Sequence, residues 1–254
     1  AEALVGGTGR AVHRRRREIG TRVRLARADA ERLNTQQQGP ALNWQGGIEL
    51  REFARRLQHT TQQEVSAPAD LAAQLRPYQL QGLGWMQALG ELEVGGVLAD
   101  DMGLGKTLQT LAHILVEKQH GRLKQPALIV MPTSLIPNWQ DEAARFAPTL
   151  KVLALHGGKR RSQFKLIAEH DVVLTTYALL PRDLKTLTAQ RFHLLILDEA
   201  QSIKNPRSKA ALAAGQINAH QRLCLSGTPL ENNLGELWSL FNFLMPGWLG
   251  DAKR

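Results

Sequence analysis

Apolar residues switch between two spacings along this chain, and the switches lay out its elements. After Leu75-Arg76, Pro77 suits the first turn of a helix that runs through Leu80, Leu83, Gly84 and Leu89. Val97 to Ala99 is a short apolar strand that breaks into a glycine loop. Leu108, Leu111, Ala112 and Leu115 then return at helical spacing, to about Gln119. Ala127–Met131 is a strand stopped by Pro132, and Thr133-Ser134 precedes a helix with Trp139 and Phe146 on its apolar side. Strands follow at Val152–Leu155 and Val172–Thr176, the second leading to a helix near Ala178. Leu194–Leu197 is a strand ending in Asp198-Glu199, and Arg222–Leu225 one ending in Ser226-Gly227-Thr228-Pro229. Leu234–Leu244 reads as a last helix.

Strands alternating with helices predict an α/β fold, a mostly parallel central sheet with helices on both faces. Ligands of such sheets sit at the carboxyl ends of the strands. The chemically suggestive residues of this chain fall there. The first 70 residues differ in character. Gly6-Gly7-Thr8-Gly9, a basic helix over Val23–Leu33, a breaker at Gln36–Pro40, a helix over Ile48–Gln58 and a linker at Thr60–Pro68 make a small, mostly helical extension, the tail of a preceding domain or a linker. The main domain is expected over 71–254.

Composition narrows this. A hydrophobic content of 43% supports a real core, and the single cysteine, Cys224 between two leucines, excludes an internal disulfide and reads as a buried strand residue. Cys and His have no zinc-ligand spacing, and no apolar run approaches the ~20 residues of a membrane span. The expectation is a soluble, cytoplasmic protein without a membrane partner. A net charge of +9 favours a polyanion such as nucleic acid. Arg14 to Arg17 is one visible cluster, readable as a phosphate-binding patch or as a flexible charged stretch.

The chemistry concentrates in Asp100-Asp101-Met102-Gly103-Leu104-Gly105-Lys106-Thr107, between a strand and a helix. This is a phosphate-loop arrangement: glycines admit backbone N–H groups to phosphate oxygens, Lys106 reaches the β- and γ-phosphates, and the Thr107 hydroxyl can ligate Mg²⁺. The simple spacing wants glycine where Asp100 stands, and a helix-capping glycine turn that happens to carry lysine is the bland alternative. Asp198-Glu199, delivered to the sheet edge by an apolar strand, supplies a second Mg²⁺ contact in Asp198 and a base for the attacking water in Glu199. Helix capping by the same pair is the competing reading. Ser226-Gly227-Thr228-Pro229 offers two hydroxyls near the same edge, to sense the γ-phosphate or only to turn.

Three stretches carry a resemblance. Leu-Ala-Asp-Asp-Met-Gly-Leu-Gly-Lys-Thr (98–107), Asp-Glu-Ala-Gln (198–201) and Leu-Ser-Gly-Thr-Pro-Leu (225–230), with 231–240 beyond, resemble motifs of the Swi/Snf-type chromatin-remodelling ATPases of helicase superfamily two. Asp at position 100 is usual in that family. The resemblance covers about 70 to 250 and implies a RecA-like P-loop lobe that binds ATP with Mg²⁺. Asp101, Met102, Gly103, Leu104, Gly105, Lys106, Thr107 and Leu108 would cradle the nucleotide, and Gln79 would read adenine. It further implies double-stranded DNA held by its backbone, with Thr133, Ser134, Asn138 and Trp139 in one DNA-facing segment and Thr175 and Thr176, beside Tyr177, in another. Gln201 stands where the family often has histidine.

The family works with two RecA-like lobes, the second supplying arginines to the γ-phosphoryl. Only 25 residues (254 − 229) follow Pro229, too few for that lobe. The expectation is therefore a first lobe that alone binds Mg·ATP weakly and turns over little. In the intact protein it would belong to a DNA-dependent ATPase that translocates on duplex DNA and remodels protein–DNA complexes, RNA polymerase among the possible DNA-bound partners. The location would be nucleoid-associated in a bacterium and nuclear in a eukaryote. An RNA-helicase lobe and a basic nucleic-acid-binding module without turnover are the alternatives.

Overall fold

The structure is a computed structural model that describes residues 65–101, 103–227 and 234–246. Six strands form one sheet in the order β1-β6-β5-β2-β4-β3. They are β1 (Gly96–Leu98), β2 (Ala127–Met131), β3 (Val152–Ala154), β4 (Val172–Thr176), β5 (Phe192–Asp198) and β6 (Ala219–Leu225). Every pairing is parallel, so the predicted mostly parallel sheet is entirely parallel. The central strands β2, β4 and β5 are buried along their whole length. That is why they read as continuous apolar runs: helices cover both faces of a parallel sheet.

The helices are α1 (Pro77–Glu91), α2 (Lys106–Gln119), α3 (Ile136–Phe146), α4 (Leu184–Thr188), α5 (Lys209–Gln216) and α6 (Leu234–Leu244). On one face, Leu128, Val130, Leu195, Leu197 and Cys224 join Ala213 and Ala214 of α5 and Leu240, Phe243 and Leu244 of α6 in one core. The alternate residues, Ile129, Met131, Leu194 and Ile196, point to the opposite face. There α1 packs on α2 and α2 on α3. Burial of each such Leu or Ile contributes about 1.5–3 kcal/mol. The lobe begins before α1: Leu71 and Leu75 are buried, and the Ala72 N–H donates to Phe146 O at 2.8 Å.

The sequence expectations hold for α1, β2, β4 and α6, with shifts of one or two residues in β1, β3 and the start of α2. One fails. The helix expected near Ala178 is instead a run of turns, in which the Leu179 and Leu180 amides both donate to Thr176 O. Pro181 disfavours helical geometry at the residue before it, and the helix starts only at Leu184. Among the elements that went unpredicted are the 3₁₀ turns over Gly158–Glu169 and Ala200–Ile203, and α5, whose Ser208 side chain caps it by accepting from Ala211 N at 3.1 Å. Cys224 is buried as expected, and burial pushes its thiol up. No described helix is long and apolar enough to cross a membrane. Arg14–Arg17 and the two N-terminal helices lie outside the described residues.

Candidate nucleotide site

Strand register brings the candidate residues to one rim. Leu98 at the end of β1 and Asp198 at the end of β5 both pair with Leu225 of β6, so three strands finish level. The Ser226 N–H then donates to Leu98 O at 3.1 Å. The glycine loop leaves from β1, and the acidic pair leaves from β5.

The loop turns on two glycines in the left-handed region, Gly103 at φ +80° and Gly105 at φ +79°. Side chains resist that conformation, and a Cβ on Gly105 would stand 2.6 Å from Gln79 Nε2. Gly105 is also the residue from which α2 starts, so the free N–H groups of the helix open onto the loop. Lys106 spans the loop, its Nζ donating to Asp100 O at 2.7 Å and Asp101 O at 3.0 Å. The Asp100 carboxylate accepts from Gln109 Nε2 of α2 at 2.8 Å, which gives the residue that broke the simple spacing a place: it ties the loop's start to its helix. Gln79 and Tyr78 donate to Leu104 O at 3.1 Å each, and the Arg76 N–H donates to Gln79 Oε1. Gln79 thus braces the loop at the open end of α1. Thr107 and Leu108 lie in the first turn of α2, both half-buried, and Asp101 is exposed. Met102 lies outside the described residues.

Asp198 is nearly buried, yet both its oxygens have partners: Oδ2 accepts from Trp139 Nε1 at 2.8 Å and Oδ1 from the Glu199 N–H at 2.9 Å. Burial pushes its carboxyl up, opposed by those two hydrogen bonds and by the positive charge of Lys106. Glu199 has φ +50° and ψ +56°, left-handed for a non-glycine residue. Such a conformation costs of the order of 1–3 kcal/mol and clusters at functional sites. Its carboxylate accepts from Gln201 Nε2 at 2.5 Å, and Gln201 Oε1 accepts from Ser226 Oγ at 3.2 Å. Gln201 links the acidic pair to the start of the Ser-Gly-Thr-Pro turn. Thr228 and Pro229 lie outside the described residues.

The candidate DNA residues divide. Thr133, Ser134 and Asn138 are exposed, and Asn138 Nδ2 donates to Glu142 Oε1 at 3.0 Å. Trp139 is 1% exposed, and Thr175 and Thr176 are buried at the ends of β4. These three side chains therefore offer no surface to a DNA backbone. Helical spacing turns Trp139 inward with Ile136 and Ala143, and β4 is covered on both faces. Sequence reasoning missed Trp139 as a partner of Asp198, Tyr177, whose hydroxyl donates to Asp198 O at 2.8 Å, and Gln109. Trp139 and Tyr177 were signalled by position in stretches already singled out, and Gln109 only by the helix it shares with Lys106.

The donor set fits a metal-bound triphosphate. Two left-handed glycines and a helix start suit phosphate oxygens, and an ammonium, a hydroxyl and a carboxylate on one rim suit phosphate with a hard cation. Comparison with known proteins places the chain in a family. The family profile described as SNF2-related domain matches residues 78–254. The putative ATP-dependent helicase/translocase YwqA of Bacillus subtilis is 48% identical over 180 residues, 69% of this chain and 19% of the relative. The TATA-binding protein-associated factor MOT1 of Saccharomyces cerevisiae is 40% identical over 200 residues, 73% of this chain and 11% of its own length. The chain thus spans less than a fifth of either. The SWI2/SNF2 ATPase core of Sulfolobus solfataricus in complex with dsDNA superposes with a TM-score of 0.69 at 42% identity, over 74% of this chain and 39% of that one. The chain belongs to the SNF2-related domain family, and in sequence and fold it matches the N-terminal RecA-like lobe of the Swi/Snf type.

Proposed function

We propose that this lobe binds ATP with Mg²⁺ at the carboxyl rim of its sheet and, with a second RecA-like lobe, couples hydrolysis to movement along double-stranded DNA. The observation that carries the reading is the level ending of β1, β6 and β5, which sets the Lys106 loop and Asp198-Glu199 on one rim.

Lys106 would exchange its two loop carbonyls for phosphate oxygens, and the backbone N–H groups at Gly103–Lys106 would cradle the β-phosphate. Gln79, already fixed against Leu104 and Gly105, would meet the adenine edge. Thr107 and Asp198 would hold Mg²⁺, which supplies neutralisation of the charge on the β- and γ-phosphates. Glu199 would orient the attacking water and take its proton, held in place by Gln201. Arginines of the second lobe would complete the site; such a contribution is worth about 10³–10⁵ in rate. Thr133, Ser134 and Asn138, exposed beyond β2, would touch the DNA backbone. Remodelling of protein–DNA complexes is the expected output, since duplex tracking needs no strand separation. This first lobe, expressed without the second, would bind Mg·ATP weakly and hydrolyse little of it.

The test is steady-state ATP hydrolysis by the intact protein with no nucleic acid, with duplex DNA and with duplex RNA. Strong stimulation by duplex DNA alone is expected. A rate indifferent to DNA, or one raised only by RNA, would overturn the reading.

A further inference from the structure

The two stretches thought to line a DNA path do not present all their side chains to solvent. Trp139 of the first and Tyr177 of the second both bond to the same aspartate. Trp139 in the first turn of α3 donates its indole N–H to Asp198 Oδ2 at 2.8 Å. Tyr177, just past β4, donates its hydroxyl to the Asp198 backbone O at 2.8 Å. The Tyr177 N–H in turn bonds to Met131 O, at the end of β2. Since β2 pairs with both β4 and β5, Tyr177 touches the ends of all three strands, through its backbone N–H at β2 and its hydroxyl at β5.

We propose that Trp139 and Tyr177 are positioning residues for Asp198, linking the exposed start of α3 and the turn after β4 to the metal-binding carboxylate. A buried indole N–H needs an acceptor, and a buried carboxylate oxygen needs a donor. Here each satisfies the other, so Asp198 Oδ2 is fixed wherever Trp139 is fixed. Trp139 lies one residue from exposed Asn138 and five from exposed Ser134, on a rigid helical turn. A phosphate backbone drawing on Ser134 or Asn138 shifts that turn, and the indole carries the shift to the carboxylate. Tyr177 makes the second link, to the backbone that delivers Asp198. This rests on the proposed function for the identity of the ligands at both ends. The hydrogen bonds do not depend on it.

The test uses Trp139→Phe in the intact protein. It removes the N–H together with part of the buried ring system, and so is read beside Tyr177→Phe, which leaves the ring in place. Loss of a residue that orients a metal ligand costs roughly tenfold or more in metal affinity. The Mg²⁺ concentration for half-maximal nucleotide binding should therefore rise roughly tenfold, while binding in EDTA stays as in the wild type. The duplex-stimulated rate should fall by a larger factor than the DNA-free rate. Tyr177→Phe, which deletes one hydroxyl, should move both quantities the same way by less. If Trp139→Phe proves unfolded on melting, Tyr177→Phe decides alone by the same two measurements. Variants with wild-type Mg²⁺ dependence and wild-type stimulation overturn the inference. A wild-type rate that ignores duplex DNA defeats the proposed function instead, and leaves the Mg²⁺ shift to judge Asp198's positioning.

Discussion

The two ends of the sheet hold polar groups in opposite ways. At the amino end, a network joins α1, α2, β5 and β6. Arg122 and His193 both donate to the Glu117 carboxylate, at 2.6 and 2.7 Å. Arg122 also donates to Gln87 Oε1, and Gln87 Nε2 donates to His113 Nδ1. His113 then carries its proton on Nε2 and donates to Gln221 Oε1 at 3.3 Å. Gln221 closes the chain by donating to Met86 O. Burial pushes Glu117 up, but the hydrogen bonds from His193 and Arg122 outweigh it and hold the carboxyl well below the usual range. Burial lowers His113 to about 4, so it stays neutral. At the carboxyl end the groups are less settled. Lys106 leans on its own loop's carbonyls, Gln109 Oε1 is buried without a partner among the described residues, and Glu199 sits in a left-handed conformation. A rim whose charges answer one another serves stability. At the carboxyl rim the lysine meets only neutral carbonyls and one buried amide oxygen has no partner among the described residues, an arrangement suited to completion by a ligand.

Four changes would break or sharpen that contrast. The largest effect is expected from Glu199→Gln, which should lower hydrolysis by the intact protein by roughly 10²–10⁴ while leaving nucleotide binding nearly intact. Equal loss of both in rate and titration assays would remove Glu199 as the base. At the other rim, Glu117→Ala strips the partner of both His193 and Arg122. Breaking a buried pair costs about 3–5 kcal/mol, and the lower end applies because Arg122 is half in water. Denaturant melting measures this, with the affinity of the folded protein for nucleotide expected unchanged.

The same network sets an acid limit. His113 binds a proton in the unfolded chain below pH 6.5 and in the folded chain only below about 4. The unfolded state therefore holds more protons in that window, and folding stability falls as pH drops through it. Glu117, with its folded value depressed, adds to the loss below the ordinary carboxylate range. Denaturant melts from pH 8 to 4 should be flat at first and then decline. His113→Gln should flatten the slope between pH 6.5 and about 4. The smallest effect is Glu199→Gly, which relieves a left-handed residue. It should raise stability by about 1 kcal/mol, read by denaturant melting, with hydrolysis lost as in Glu199→Gln.

Much of the carboxyl rim was legible because its chemistry is local. Gly103, Gly105, Lys106 and Thr107 are contiguous, and Asp198-Glu199 ends an unbroken apolar run, so spacing alone set them at strand ends. The parallel sheet was legible for the same reason: strands buried on both faces write themselves as runs such as Ala127–Met131. The amino-rim network was not. His113 and Gln221 are 108 positions apart and Glu117 and His193 are 76 apart, and nothing in the spacing of isolated polar residues names such partners. The inward turn of Trp139 was legible in helical spacing, which set it with Phe146 on the apolar side; its partner Asp198, 59 positions away, was not. The helix near Ala178 was lost to Pro181 and to turns held by Thr176 O, a local competition that apolar spacing does not report.

The central claim is that the Lys106 loop and Asp198 grip one Mg-bound triphosphate. Titration of Mg·ATP into the intact protein tests it directly, comparing wild type with Lys106→Ala at the carboxyl rim and Glu117→Ala at the amino rim, both under conditions where they are folded. Affinity should weaken by roughly tenfold or more in Lys106→Ala, the loss of a charge-assisted contact, and stay unchanged in Glu117→Ala. Unchanged affinity in Lys106→Ala would contradict the claim.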